Sequence, residues 1–138
     1  MPIITVAIPV YNGAKTIRAT LDSILQQSLA DIEIVVIDDG STDDTVSVVR
    51  QIEDSRIRLI SYPNQGLAAS RNRGIQQSQC EYISFIDADD LWTPGKLKAQ
   101  LAVLRSNPLA AVAYSWTDCV DCSGDFCRRG SHISAQGN

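Results

Sequence analysis

Residues 32–44 read Ile-Glu-Ile-Val-Val-Ile-Asp-Asp-Gly-Ser-Thr-Asp-Asp, and this stretch decides the fold. The run Ile34 to Ile37 is apolar at every position, which is typical of a strand in a parallel sheet that is covered on both faces. Aspartate, glycine and serine then follow directly, and these are turn residues. A buried strand that ends in a polar turn predicts an α/β protein.

Other apolar runs in the chain extend this pattern. They are mostly rich in β-branched residues, which favours strands. Helical segments lie between them, so strand and helix alternate at a spacing that predicts a right-handed, mainly parallel sheet. The predicted strands are residues 3–8, 32–37, 57–60, 82–86 and 110–114.

Three of the intervening segments have helical periodicity and recognisable starts. Ser41 and Asp44 have the spacing of a capping box, and Thr93 and Pro94 suit the cap and first position of a later helix. Each segment has one apolar stripe, which we expect to face the sheet. The predicted stripes are Ile17, Leu21, Ile24 and Leu25; Val46, Val49 and Ile52; and Leu97, Leu101 and Leu104.

Composition limits the classes of protein that this chain can be. Its 138 residues suit one domain, and 44% hydrophobic content excludes a disordered chain. With 12 basic and 16 acidic residues, the net charge of −4 argues against a nucleic-acid partner. No apolar run approaches a membrane span, and residues 1–10 lack the pattern of a secretory signal. We therefore predict a cytoplasmic protein without a transmembrane segment.

The acidic residues are unusual, because 13 of the 16 are aspartates. Seven of these lie in two blocks, residues 38–44 and 87–90, each directly after a predicted strand. Carboxyl ends of parallel strands share one edge of the sheet, where ligands bind. Clustered like charges call for a cation, and oxygen ligands suit Mg²⁺ or Mn²⁺. An alternative is that each block only forms turns and helix caps. One such block alone would favour this alternative, whereas two blocks on one edge favour a binding site.

Four segments of the chain resemble family 2 glycosyltransferases of the GT-A fold. They are Pro-Val-Tyr-Asn at 9–12, Asp-Asp-Gly-Ser-Thr-Asp at 38–43, Asn-Gln-Gly-Leu-Ala-Ala-Ser-Arg-Asn-Arg-Gly at 64–74 and Asp-Ala-Asp-Asp at 87–90. The resemblance implies a GT-A-like, Rossmann-like sheet that is truncated before the acceptor-binding half. Residues 1–118 would be the nucleotide-sugar-binding domain, and residues 119–138 the start of a hairpin and a loose C-terminal tail.

The resemblance also implies roles for individual residues. Pro9 would lie near the edge of the nucleobase and the Tyr11 ring against its face, although Tyr11 could instead pack on the end of the sheet. Asp39 would accept the imino hydrogen of uracil. Arg71 would lie near the base or the phosphates, unless it is only a surface helix residue. The implied nucleotide-binding residues are Pro9, Tyr11, Asn12, Asp39, Arg71 and Asp87, and the implied metal ligands are Asp89 and Asp90.

The implied reaction is inverting transfer from a nucleotide-sugar, with a UDP-sugar as the expected donor, to a sugar or lipid-linked acceptor. A divalent cation, Mn²⁺ or Mg²⁺, would offset charge on the departing diphosphate. In the family, the general base lies well downstream of the Asp-x-Asp motif, so we expect this chain to lack it. We also expect a location in the cytoplasm or at the cytoplasmic face of the membrane, and exposed apolar surface on the last strand could drive homo-oligomer formation.

Three other readings compete with this one. The chain could be a non-catalytic nucleotide-sugar-binding or assembly module. Asp87 could be the nucleophile of a haloacid-dehalogenase-type phosphatase, although Leu91 stands where that motif has Thr or Val. The chain could also carry a zinc-knuckle-like C-terminal module, because four potential ligands have nearly the required spacing. These ligands are Cys119, Cys122, Cys127 and His132.

Overall fold

A computed structural model describes residues 1–121 and 123–130 of the chain. Strands and helices alternate up to residue 106, and a short hairpin follows. In chain order the elements are β1 (Ile4–Val10), α1 (Ile17–Leu25), β2 (Ile32–Asp38), α2 (Thr45–Arg50), β3 (Ile57–Ser61), α3 (Leu67–Gln77), β4 (Tyr82–Phe85), α4 (Lys96–Ser106), β5 (Asp118–Val120) and β6 (Phe126–Arg129).

The first four strands form one parallel sheet in the order β3-β2-β1-β4. The chain steps outward from β1 to β3 and then returns to the other side of β1 with β4. The strand order therefore reverses between β1 and β4, and in open α/β sheets ligands bind at the carboxyl ends of strands beside such a reversal. The predicted parallel α/β fold is confirmed.

The core lies on both faces of the central strands. All seven residues of β1 are buried, as are six of the seven residues of β2. Helix α3 packs closely on β1, because a Cβ atom added at Gly74 would lie 2.9 Å from the Cβ of Ala7. Side chains such as Ile8 and Ile34 are fully buried, which is the continuous apolar burial expected of parallel strands.

The sequence predicts the first helix well but places the start of the second one wrongly. Ile17, Leu21 and Ile24 are buried along α1 as expected. The proposed capping box of Ser41 and Asp44 does not form, and α2 begins only at Thr45 with no side-chain cap bond from Asp44. The Ser41 hydroxyl instead accepts a hydrogen bond from the Asn12 backbone N–H at 2.9 Å, so it joins two loops rather than capping a helix.

Two later predictions also need correction. Helix α4 begins at Lys96, two residues after the predicted start at Pro94, although Leu97 and Leu101 are buried as expected. Residues 110–114 lie in none of the strands that the described part of the chain forms. Val112 is mostly exposed there, whereas a strand of a packed sheet buries at least one face.

The described residues form two compact units, of which the first spans Met1–Leu97 and the second begins at Lys98. The second unit contains the expected hairpin, in which β5 and β6 pair antiparallel with an irregularity between Cys119 and Val120. Arg128 and Arg129 belong to β6 rather than to a loose tail. The predicted boundary at residue 118 stays a prediction. Among the described residues, no helix has the length and apolar content needed to cross a bilayer.

Candidate functional site

Loops at the carboxyl edge of the parallel sheet carry nearly all the residues that the sequence indicated. Residues 11–16 follow β1, residues 39–44 follow β2, residues 62–66 follow β3, and residues 86–95 follow β4. Parallel strands send these four loops to the same edge. The two aspartate blocks therefore share one edge of the sheet, as predicted.

The loop after β1 is held by the loop after β2. Asn12 adopts a left-handed backbone conformation with φ of 53°, which asparagine tolerates better than most residues. Its side-chain Oδ1 accepts a hydrogen bond from the Thr42 backbone N–H at 2.8 Å. Gly13 N–H donates to Thr45 Oγ1 at 2.9 Å. These bonds fix the position of Tyr11, whose ring is 54% exposed and so is open for stacking.

Asp39 is buried and organises the turn that leads into α3. Its carboxylate accepts hydrogen bonds from the backbone N–H groups of Gln65 at 3.0 Å and Gly66 at 2.7 Å. Arg73 Nη1 donates to the same carboxylate at 2.9 Å. Burial alone would raise the pKa of Asp39, but these donors outweigh it and hold the pKa below its usual value. Asp39 is therefore a carboxylate anion near neutral pH.

Gly66 has a positive φ of 87°, which lets the chain turn into α3 while the Gly66 N–H points at the Asp39 carboxylate. Gly40, on the opposite loop, has φ of 76°, and a Cβ atom there would lie 3.0 Å from the Asn64 backbone nitrogen. The loops after β2 and β3 thus approach each other so closely that only glycine fits at residue 40 without strain.

A cleft of about 370 Å³ opens at the carboxyl end of β4, and we call it the carboxyl-edge cleft. The Arg71 guanidinium donates to Asp87 Oδ1 at 2.9 Å inside it. The loop that forms one wall is fixed to α1, because Thr20 Oγ1 donates to the Ala88 carbonyl at 2.9 Å. The lining residues are Arg71, Phe85, Ile86, Asp87, Asp90, Trp92 and Lys96.

The electrostatics of this cleft show an excess of negative charge near Asp90. Partial desolvation, together with the charges of Asp89 and Asp87, raises the pKa of Asp90 above its usual value. Lys96 opposes this rise. Burial lowers the pKa of Lys96, and the charge of Asp90 works against that lowering. A cation that entered the cleft would relieve the repulsion among the three aspartates.

The chemistry of these residues fits a hard divalent cation. Asp87 and Asp90 line the cleft, and Asp89 is exposed between them, so carboxylate oxygens are available. Among residues 1–121 and 123–130, no three His, Cys, Asp or Glu side chains converge as a ready-made metal cage. Proteins usually supply Mg²⁺ with only one or two carboxylates and leave the remaining positions to phosphates and water.

The structure does not bring all the predicted site residues into one cleft. Arg71, Asp87 and Asp90 line it together, whereas Asp89 is not among its lining residues. Pro9 is buried within β1. The remaining three lie on the neighbouring loops: Tyr11 is exposed, Asn12 ties two loops together, and Asp39 is buried. Their predicted contacts with a nucleotide stay predictions.

Trp92 and Lys96 line the cleft, although the sequence analysis did not single them out. Lys96 Nζ lies 4.2 Å from the centroid of the Trp92 ring, which is a cation–π distance. One feature of the sequence indicates Lys96. It lies at the start of a helix, where the helix dipole disfavours a cation, and a residue at an unfavourable position can have a role other than stability.

The zinc-knuckle hypothesis concerns residues that are only partly described. Cys119 and Cys127 are free thiols, and Cys127 is exposed. Cys122 and His132, the other two ligands of that hypothesis, lie outside the described residues.

Comparison with known proteins agrees with the fold and with the four motifs. The profile of the family described as "Glycosyl transferase family 2" matches residues 5–134. An Escherichia coli protein named UDP-Glc:alpha-D-GlcNAc-diphosphoundecaprenol beta-1,3-glucosyltransferase WfgD is 34% identical over 109 residues, which cover 78% of this chain and 43% of that protein. The chain spans less than half the length of the first curated relatives that it matches.

Two solved structures are similar in fold. Staphylococcus aureus TarS in complex with UDP superimposes with a TM-score of 0.72 at 28% identity, over 77% of this chain and 33% of that one. The mannosyltransferase PcManGT from Pyrobaculum calidifontis, in complex with GDP-Man and Mn²⁺, has a TM-score of 0.62 at 35% identity, over 66% of this chain and 28% of that one. The family profile covers nearly the whole sequence, and the parallel sheet agrees with both neighbours. The chain therefore belongs to glycosyltransferase family 2.

Proposed function

We propose that this chain binds the nucleoside diphosphate part of a sugar donor at the carboxyl edge of its sheet, with UDP as the expected nucleotide. The observation that carries the proposal is the shared edge of Tyr11, Asp39 and the Asp87–Arg71 pair, which lies beside the reversal of strand order. The full-length protein would use such a site for sugar transfer with inversion at the anomeric carbon.

The individual roles follow from exposure and chemistry. The exposed Tyr11 ring offers an aromatic face for the base. Asp39 is held as a carboxylate by N–H groups of Gln65, Gly66 and Arg73, and a carboxylate is the acceptor that the imino hydrogen of uracil would need. The half-exposed Asp87 can accept from ribose hydroxyls, and Arg71 beside it can donate to phosphate oxygens.

A divalent cation completes the proposed site. Asp89 and Asp90 would hold it, and Mn²⁺ in the PcManGT structure supports manganese or magnesium as the ion. When bound, the ion supplies Lewis-acid stabilisation to a departing diphosphate. The residues of this chain contribute the carboxylates that attract the ion. They also contribute the cationic side chains that offset the remaining negative charge of the site.

The acceptor and the cellular location of the full-length protein are also part of the proposal. WfgD is named for an acceptor that is a lipid-linked diphosphate, and this supports a lipid-linked or sugar acceptor at the cytoplasmic face of the membrane. We assign donor binding to the residues described and propose that the general base lies outside them. The exposed apolar side chains of the second unit, such as Val112 and Trp116, support a further proposal that copies of the chain associate.

A thermal-shift panel tests the proposed function. Purified chain is heated with Mn²⁺ and UDP, GDP, CDP or ADP, and a ligand at 100 times its Kd should add about 2.7 kcal/mol of stability. We expect UDP to raise the melting temperature most, and Asp89→Ala to remove the contribution of Mn²⁺ to that shift. Asp118→Asn, in the hairpin, is the matched control and should respond as the wild type does. If no nucleoside diphosphate raised the melting temperature, the proposal would be wrong.

A further inference from the structure

We propose that Lys96 is a donor-contacting residue, which binds the diphosphate of the nucleotide-sugar in the carboxyl-edge cleft that Arg71 also lines. This inference rests on the proposed function and adds to it a residue that would bind the diphosphate as it leaves. Neither the four sequence motifs nor the relatives' names assign any role to Lys96.

The position of Lys96 is the first observation in support. The residue begins α4, yet its side chain turns into the cleft that Asp87 and Asp90 also line. The Trp92 ring is 9% exposed and holds the ammonium group at 4.2 Å from its centroid. Contact with an aromatic face limits the freedom of a long lysine chain, so the ammonium is held near the place where a ligand would lie.

The second observation is that Lys96 keeps its donors available. The other cation in the cleft, Arg71, is paired with Asp87 at 2.9 Å. By contrast, no carboxylate oxygen of residues 1–121 and 123–130 lies within 4.0 Å of Lys96 Nζ. An ammonium group has three N–H donors, and a phosphate oxygen is a strong acceptor for them.

Charge balance gives the third argument. Asp87, Asp89 and Asp90 contribute three negative charges, and Arg71 and Lys96 contribute two positive ones, so the net charge is −1. A bound divalent cation makes it +1. A donor diphosphate carries about two negative charges and the departing nucleoside diphosphate about three, so negative charge grows as the sugar leaves. Without Lys96, only the metal ion and Arg71 would remain to stabilise the negative charge that grows on the departing nucleoside diphosphate.

The position of Lys96 at the start of α4 is slightly unfavourable for helix stability, and a role in binding would explain why a lysine is there. A cation in the first turn of a helix opposes the helix dipole by about 0.3–1 kcal/mol. Lys98 lies in the same turn of α4 but is exposed to solvent, where water and salt screen its charge and reduce that cost. Lys96 and Lys98 therefore offer a matched comparison of two lysines within one helix.

Calorimetric titrations of the Lys96→Met variant with UDP and with uridine test the inference. Methionine keeps the aliphatic contact with Trp92 and removes the ammonium group, both its charge and its N–H donors. We expect the affinity for UDP to fall about tenfold or more, and the affinity for uridine to stay within twofold, because uridine has no phosphate. Lys96→Arg should recover most of the affinity for UDP, and Lys98→Met should bind UDP as the wild type does.

Other outcomes would overturn the inference in distinguishable ways. Wild-type chain that binds no UDP would remove the proposed function and this inference with it. Wild-type binding that Lys96→Met leaves unchanged would refute the role of Lys96 alone. An equal loss for UDP and uridine would show that Lys96 shapes the site without contacting phosphate. Circular dichroism of both Lys96 variants excludes loss of folding as the cause. If Lys96→Met does not fold, Lys96→Gln removes the charge with a polar side chain and should show the same selective loss of affinity for UDP.

Discussion

Arg71 donates a hydrogen bond of 2.9 Å to Asp87, and nearly half of each side chain stays exposed to solvent. Two positions along the same helix, Arg73 donates to Asp39 at the same distance, but there Asp39 is buried and only 12% of the Arg73 side chain is exposed. Exposed ion pairs add little to stability, whereas a buried pair is costly to break. The contrast supports the proposal that Arg71 serves a ligand more than it serves stability, and it indicates that the Arg73–Asp39 pair also holds the loops in place.

Replacement of Arg71 should therefore affect binding more than stability. Arg71→Met loses an exposed pair, so we expect the free energy of unfolding to change by less than about 1 kcal/mol. Its affinity for UDP should fall at least about tenfold, because a charged hydrogen bond to phosphate is lost. Urea denaturation and calorimetry measure the two effects. Arg18→Ala, on the exposed side of α1, is the control, and a large loss of stability with unchanged binding would reverse the assignment.

Removal of the Asp39 charge should destabilise the protein in a way that depends on pH. The variant Asp39→Asn leaves the largely covered Arg73 without its carboxylate, at a cost of about 3 kcal/mol near pH 7. The pKa of Asp39 is lowered by folding, so its contribution is complete above the unfolded value of about 3.9 and is lost as the pH falls through the folded value.

Denaturation of wild type and Asp39→Asn from pH 7 down to pH 2 checks that sign. The difference in unfolding free energy should be constant down to about pH 5 and shrink below about pH 4. Asp22→Asn, at an exposed position of α1, is the control and should lose far less stability than Asp39→Asn at pH 7. A difference that grew as the pH fell would contradict the assigned hydrogen bonds.

Close packing of α3 on the sheet gives a prediction that concerns stability alone. A Cβ atom at Gly74 would lie 2.9 Å from the Ala7 Cβ, and neither the helix nor the buried strand can move freely. Gly74→Val should cost about 1–3 kcal/mol or prevent folding. The control is Gly95→Ala, because nothing lies within 4 Å of a Cβ there, and thermal melts of the two variants should differ accordingly. Equal melting temperatures would show that α3 does not pack as described.

Loss of the Tyr11 ring should weaken binding of the base without unfolding the chain. The ring is 54% exposed, so Tyr11→Ala should leave the melting temperature nearly unchanged. Stacking of an aromatic ring on a base is worth about 1–3 kcal/mol, which predicts roughly a tenfold loss of affinity for both UDP and uridine. Tyr11→Phe keeps the ring and should bind normally. Unchanged binding by Tyr11→Ala would place the base elsewhere.

The sequence predicts the sheet well because its signals are local. The strands β1 and β2 are continuous β-branched runs, and burial on both faces agrees with that pattern. Residues 110–114 are a shorter apolar run that lies in none of the strands of the described residues. Ladder pairing depends on residues that are distant in sequence, so an apolar run alone does not predict it.

The candidate site was predictable only in part for the same reason. The motifs identify Asp39 and Asp87, yet the contacts of Asp39 with Gln65 and Gly66 span 26 and 27 residues of chain. Ser41 looks like a helix cap in sequence and serves as a bridge between loops in the structure. Lys96 has no motif, and its position over Trp92 appears only when α4 is placed.

Calorimetric titration of UDP in the presence of Mn²⁺ and in the presence of a chelator tests the central claim most directly. A nucleoside diphosphate that shares a cation with Asp89 and Asp90 must bind more tightly when the cation is present, and by linkage Mn²⁺ must bind more tightly with UDP. We predict saturable binding of one UDP per chain that weakens at least about tenfold without Mn²⁺. Absence of UDP binding, or equal affinity with and without the ion, would contradict the account.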